Sequence, residues 1–283
     1  MIFRSIVAAV VLFLIWMAVI RYLPPDLDSS QTLWGENVIH AQDYLYAEIA
    51  PTDLTIVGSS LSENLTLEEV DSRWVHNLGF SGQGVNDGLN VIMGADKLPA
   101  YVLVEMNVIL QAENEQFKKV VLNPAANLAR DYLPMLRQRY QPVGVLKGMM
   151  LGQSTVGEIQ DSLQDRPINQ LSLDQKIEDY AKGVDPAELM EVLGALSERL
   201  RWLREQGVRI VFYELPVDPE LCQTPKAMAI RKGFYAVFPP TAFAYIPQPE
   251  CADYATTDGH HLGERSNANY SDWLGAEIAP LLK

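Results

Sequence analysis

The chain has 283 residues, 48% of them hydrophobic, which suits one large α/β domain with appendages or two small domains and rules out wholesale disorder. Its 36 acidic residues outnumber 22 basic ones, giving a formal charge of −14. That balance repels a polyanion and no basic run opposes it, so nucleic acid is excluded as a partner, while no substrate is selected.

The predicted elements begin with an apolar helix. Ser5 through Ile20 carries no charge between Arg4 and Arg21, and apolar character resumes at Tyr22-Leu23. Ile2 to Leu23 is about 22 residues, or roughly 33 Å of helix, against a hydrocarbon core of ~30 Å. The exit, Ala18-Val19-Ile20-Arg21-Tyr22-Leu23-Pro24-Pro25, has no small-x-small cleavage pattern. Residues 1–23 therefore read as an uncleaved transmembrane signal anchor, with cleaved secretion as the competitor. The flanking arginines balance, so a body outside the cytoplasm, periplasmic or at the cell surface, rests on the very short N-terminal tail.

Residues 24–51 read as stalk and entry helix, opened by the turn-prone Pro24-Pro25-Asp26-Leu27-Asp28-Ser29-Ser30. Leu54-Thr55-Ile56-Val57 is an uninterrupted β-branched run, as expected of a strand buried on both faces. Trp74–Leu78 is a second strand, Val85–Ala95 a helix, and Tyr101–Glu105 a third strand. From about 108 to 185 the rhythm breaks into helix-like pieces without a clear strand, a helical insertion or cap. Leu189, Val192, Leu193, Leu196, Leu200 and Leu203 then repeat at helical spacing up to Gly207. Val208–Tyr213 is the fourth strand, and a last helix runs from about Asn267 to Leu281. Strands separated by helices predict a parallel α/β sheet domain over residues 52–283.

Cys222 and Cys251 are the two cysteines. Behind an export anchor they favour a disulfide over two buried thiols, closing a loop of about 30 residues and tethering the segment that leads to Asp258.

In open parallel sheets, ligands collect beyond the carboxyl ends of the strands. Gly58-Ser59-Ser60, Gly79-Phe80-Ser81-Gly82, Glu105-Met106-Asn107 and the Glu214–Pro219 segment come after the four strands in turn. Asp258-Gly259-His260-His261 joins them near the end of the chain. Ser60 needs a base to become a nucleophile, and the imidazole of His261 is suited to that work. Asp258 can orient that ring. The backbone N–H groups of Ser60 and Gly82 and the Asn107 amide can hold a developing oxyanion. Glu214, Asp218 and His260 are candidate substrate-loop residues. Each part alone has a bland reading: Ser60 as a helix cap, Gly79 and Gly82 as turn glycines, Asn107 as a strand-end residue, His261 as a surface histidine. Asp258 with both histidines also raises a metal site, but adjacent histidines point differently and no second ligand cluster is evident. Their joint order favours nucleophilic catalysis without metal or cofactor.

These blocks resemble the SGNH, or GDSL-type, hydrolase superfamily, whose ordered blocks carry a Ser, a Gly, an Asn and a His with an Asp three residues before the His. The resemblance implies Ser60 as nucleophile, Gly82 and Asn107 as oxyanion donors with Ser60, and Asp258 and His261 as the rest of a triad. It implies a three-layer α/β/α, flavodoxin-like fold, spans about 52–282 and leaves the insertion unexplained. Ser59 replaces the acid of the usual Gly-Asp-Ser, and the third block lacks the usual Gly-x-Asn-Asp form. In both respects the chain is more similar to membrane-tethered SGNH-like proteins of envelope polysaccharide and teichoic acid acylation. The likeness implies a serine O-acyltransferase or esterase acting outside the cytoplasm. It would act on O-acyl groups, chiefly acetyl, of an envelope or exported polysaccharide through an acyl-serine intermediate. Its partners would be the glycan or acylated polymer, membrane lipid around the anchor, and a membrane acyl-donor protein. The competing reading is a catalytically inactive SGNH-like scaffold or glycan-binding protein of an envelope assembly.

Overall fold

The computed structural model describes residues 2–24, 27, 29, 32–151 and 167–282. Pro25, Asp26, Asp28 and Ser30 of the predicted stalk, and residues 152–166 of the predicted insertion, lie outside the described residues. In chain order the first elements are helices α1 (Ile2–Val19) and α2 (Leu33–Leu45), strand β1 (Leu54–Gly58), helix α3 (Ser60–Glu63), and strands β2 (Glu69–Val70) and β3 (Arg73–Gly79). Then come α4 (Val85–Met93), β4 (Tyr101–Glu105), α5 (Glu115–Val121), α6 (Pro124–Tyr132), α7 (Pro142–Leu151), α8 (Gln170–Ala181) and α9 (Pro186–Glu205). The rest are β5 (Arg209–Tyr213), α10 (Pro219–Cys222), α11 (Pro225–Val237), β6 (Ala244–Tyr245) and α12 (Glu264–Ile278). They form two compact units, Met1–Tyr46 with Gln116–Asp161 and Ala47–Glu115 with Ser162–Lys283, so the predicted insertion is divided between them.

The first unit is helical. Ile2–Tyr22 is long and apolar enough to cross a membrane, as an anchor or a signal sequence would be. Along α1, Phe13, Trp16 and Met17 are partly covered, and Ile20 just beyond it is buried, one stripe at helical spacing; most of its other residues are exposed. The Trp16 indole donates to the Tyr140 carbonyl at 3.1 Å. Gln138 N–H donates to the Gln42 side-chain oxygen at 2.7 Å, and Trp34 packs edge-on against Phe117.

The second unit is an α/β sheet in the order β2-β3-β1-β4-β5-β6. Five strands are parallel, and β2 pairs antiparallel with β3 at the edge. Without β2, the parallel strands adopt the 2-1-3-4-5 order of doubly wound sheets of the flavodoxin kind. Every residue of β1 and β4 is buried, which explains why these strands read as apolar runs without alternation. Helices cover both faces. Leu54, Ile56, Leu103 and Tyr213 pack with Tyr270, Leu274 and Ile278 of α12. On the other face Phe212 stacks with Phe234 and Phe238, and α9 buries five leucines. The side chain of Asp185 accepts from Ala187 N–H at the start of α9, and Gly207 turns at φ 88° just past its end.

α4 forms despite its Gly and Asn content because Val85 through Ile92 are buried, and tertiary packing overrides weak propensity. The Asp87 carboxylate anchors its start, accepting from Gly84 N–H at 3.2 Å and Asn114 N–H at 2.9 Å. Sequence periodicity does not reveal β2 and β6, which at two residues each are too short to show one. The last helix starts at Glu264, three residues ahead of expectation, with Gly263 as its N-cap.

Close approach of α4 to the sheet depends on Gly88: a Cβ there would lie 2.9 Å from Leu78 O and 3.0 Å from Val57 Cγ1. Gly88→Ala is expected to cost about 1–3 kcal/mol through overpacking. Thermal unfolding of the full chain in detergent measures it; an unchanged midpoint would mean that α4 shifts freely.

Candidate active site

β1 and β4 are neighbours at the point where the strand order reverses, the usual ligand-binding crevice of such sheets. Beyond β1, Ser59 caps α3, its hydroxyl accepting from Leu61 N–H at 3.2 Å. Beneath this turn lies Glu105, at the carboxyl end of β4 and fully buried. Its carboxylate accepts from Ser59 N–H at 2.7 Å and from the Ser59 hydroxyl at 2.9 Å. The Ser62 hydroxyl also bonds it and in turn meets the Tyr213 hydroxyl. Burial raises the Glu105 carboxyl above the usual range, and the bonds from Ser62 and Ser59 oppose that rise. No side chain fits at position 58, because a Cβ would collide with Ser62 Oγ and Glu105 Oε2.

Above this support Ser60 Oγ lies 2.9 Å from Nε2 of His261, 201 residues further along the chain. The other ring nitrogen of His261, Nδ1, is 2.9 Å from Asp258 Oδ2. Asp258 Oδ1 accepts from the backbone N–H groups of His260 and His261 at 2.9 and 2.8 Å. Lys176 Nζ donates to Oδ2 and to the Asp258 carbonyl, both at 2.9 Å. Burial alone would raise this carboxyl, but the bonds from His261, Lys176 and His260 hold it well below the usual carboxylate range. The structure thus brings Ser60, His261 and Asp258 into one hydrogen-bonded chain.

The loop carrying Asp258 and His261 is braced from several sides. Thr257 N–H donates to His261 O at 2.8 Å, and Asn169 N–H to Thr257 O at 2.7 Å. Asp218 N–H donates to Gly259 O at 2.9 Å. Gly259 has φ 94°, and a Cβ there would meet Leu173 Cδ1 at 2.8 Å, so position 259 demands glycine on both counts. Cys222 and Cys251 are joined by a disulfide. It lies in a small core with Leu173, Tyr180 and Leu221 that seats α8 beneath the loop.

A cavity of about 370 Å³ opens at Ser60, with Asn107, Lys176, Tyr180, Lys226 and His261 among its walls. Ser60 N–H has no acceptor among the described residues: Leu61 N–H goes to Ser59 Oγ, and Ser62 and Glu63 N–H go to Ser59 O. Asn107 pairs with the Leu215 backbone through both ends of its amide, at 2.9 and 2.8 Å, leaving one amide hydrogen beyond that pair. Gly82 does not line the cavity. It adopts φ 71°, and its carbonyl accepts from Gln111 Nε2 at 3.4 Å, Gln111 being a wall residue.

Glu214 and Asp218 also lie off the cavity. Glu214 forms a two-pronged ion pair with Arg231, at 2.8 and 2.7 Å, and Asp218 caps α10 through Glu220 N–H at 3.0 Å. His260 does line the cavity, but its ring turns from His261 to pack edge-on against Tyr180, 5.1 Å between centroids. Its Nε2 is buried without a hydrogen-bond partner. Burial first, then the charge of Lys176, pushes this imidazole down to about 4.

The sequence does not single out the α8 residues as part of a site. Leu173, Ile177 and Tyr180 form a helical stripe that signals a docked helix, and Lys176 sits beside it. No protein-family model, curated protein or solved structure matches the chain.

Two stability outcomes are expected. Glu105→Ala strands buried Ser59 and Ser62 donors and should cost about 2–4 kcal/mol in thermal unfolding, Glu105→Gln less. His260 binds a proton near pH 6.5 when unfolded but only near 4 when folded, so its contribution is intact above 6.5 and lost as pH falls toward 4. The loss totals about 3 kcal/mol. Urea midpoints at pH 7 and 4.5 should differ less in His260→Phe than in the parent; equal differences would refute the assignment.

Proposed function

We propose that the chain is a serine acyltransferase or esterase of the SGNH type, working outside the cytoplasm on O-acyl groups of a glycan. The observation that carries this reading is the Ser60–His261–Asp258 chain at the switch point of a 2-1-3-4-5 sheet. The four sequence blocks that resemble the SGNH superfamily support the same class.

In the proposed reaction Ser60 Oγ attacks the acyl carbonyl while its proton passes to His261 Nε2. The C–O bond of the donor ester breaks, the proton goes to the departing alcohol oxygen, and the acyl group remains on Ser60. An acceptor hydroxyl, from sugar or water, then gives its proton to His261 and attacks the acyl-serine, which restores the Ser60 hydroxyl. Asp258 keeps Nδ1 protonated and favours the imidazolium that forms in each half. Ser60 N–H and the remaining Asn107 amide hydrogen are the oxyanion donors this geometry favours; each such donor is typically worth about 3 kcal/mol of transition-state stabilisation. Gly82, off the cavity wall, is not among them.

A disulfide favours an oxidising compartment, and the apolar N-terminal helix favours a membrane origin. Both agree with an extracytoplasmic site, where an acylated polymer and a membrane acyl-donor protein would be its partners. The cavity's volume suits a single sugar residue and its acyl substituent.

A fluorophosphonate probe should label the full chain at Ser60, with Ser60→Ala unlabelled and Asp258→Asn labelled about 10⁴-fold more slowly. Intact mass after incubation with simple acetyl esters should show an acetyl increment on Ser60. Absence of both labelling and acylation in folded protein would return the chain to a glycan-binding scaffold.

A further inference from the structure

The helical unit exposes an apolar surface that the proposed chemistry does not use. On α7, Val143, Leu146, Met149 and Met150 are exposed, Met150 at 85%. At 100° per residue they occupy an arc of about 120°. Gly144 and Val145 lie on the opposite side and are buried. Lys147, beside the arc, is the helix's one charged residue.

What covers this face is indicated by α1. Its stripe of Phe13, Trp16 and Met17, continued by Ile20, is covered within the unit, and Trp16 is tied to the Tyr140 carbonyl. With Ile2 at the far edge of a hydrocarbon core, Trp16 lies roughly 21 Å along the helix. A core of ~30 Å therefore extends about 9 Å past that level. Tyr140 is two residues before α7, so a bilayer that takes α1 must also accommodate the start of α7. Interfacial helices bury their apolar face about 5–10 Å, which matches that depth.

We propose that α7 is an interfacial helix seated in the same leaflet edge that α1 leaves, with Val143, Leu146, Met149 and Met150 among the acyl chains and Lys147 reaching the headgroups. Lipid is the occupant because the Trp16–Tyr140 bond fixes the segment before α7 at a level of α1 that lies inside the hydrocarbon core, and α7 exposes its apolar arc within the same unit. The inference rests on α1 spanning a bilayer and is independent of the acyl-transfer reading.

The test uses the full chain in phosphatidylcholine vesicles. Both native cysteines are in the disulfide, so nitroxides can be placed singly at Val10→Cys, Leu146→Cys, Met150→Cys and, as a water-exposed reference, Glu198→Cys. Collision with oxygen reports lipid, and collision with a water-soluble nickel chelate reports solvent. The oxygen-to-nickel ratio at 146 and 150 should exceed that at 198 about tenfold and approach that at 10. A ratio at 146 and 150 equal to that at 198 overturns the proposal, as does exclusion of both reagents, which would mean a protein partner or a second copy covers the face. If position 10 also behaves like 198, the membrane reading of α1 falls with it; if position 10 is in lipid, only the seating of α7 falls.

Discussion

One carboxylate holds the candidate site together. Asp258 receives four donors, the backbone N–H groups of His260 and His261, the His261 ring and the Lys176 ammonium. Charge-assisted bonds of this kind are each worth about 1.5–3 kcal/mol, and they join two pieces of chain, the loop itself and α8. They fold the loop back on itself, aim Nε2 at Ser60, and bind α8 to the C-terminal segment. Lys176 also places a positive charge beside the acid, so the carboxylate that orients the histidine is itself oriented. The disulfide and the left-handed turn at Gly259 serve the same loop from below.

A second carboxylate does the corresponding work for the nucleophile. Position 59 is a serine rather than an acid, and the acidic side chain of this turn comes from Glu105 on the neighbouring strand. Because Glu105 is sealed from solvent, its grip on Ser59 and Ser62 is not shared with water. The two acids therefore divide the labour between a buried one that shapes the serine turn and a half-buried one that shapes the histidine loop.

The central strands are legible in the sequence because β1 and β4 are buried on both faces and so appear as unbroken apolar runs. The leucine spacing of α9 is legible for the analogous helical reason. Pairwise chemistry near in sequence, such as Asp258 with His261, can also be read from spacing. Chemistry carried by tertiary contact cannot be read from spacing, and the pairing of Ser60 with His261 is legible only through the order of the blocks and the family they resemble. Nothing in the spacing of Glu214 and Asp218 tells that one is taken up by Arg231 and the other by a helix cap, since each partner is chosen by packing. Lys176 lies in a region whose helices are visible in the sequence but whose docking is not. Which glycine approaches the serine likewise depends on backbone path rather than on residue type.

The pairing of Ser60 with His261 spans 201 residues, and this has a bearing on biosynthesis. At about 5–20 residues per second, some 10–40 s separate translation of the serine from that of the histidine. During that interval β1, β3 and β4 can pair and Glu105 can grip the serine turn, yet the hydroxyl has no base. Under the proposed acyl-serine reading, Ser60 gains its base only after the segment carrying His261 has been made and has folded back onto the sheet. The order of synthesis alone would then keep that hydroxyl without its base until the last quarter of the fold is in place.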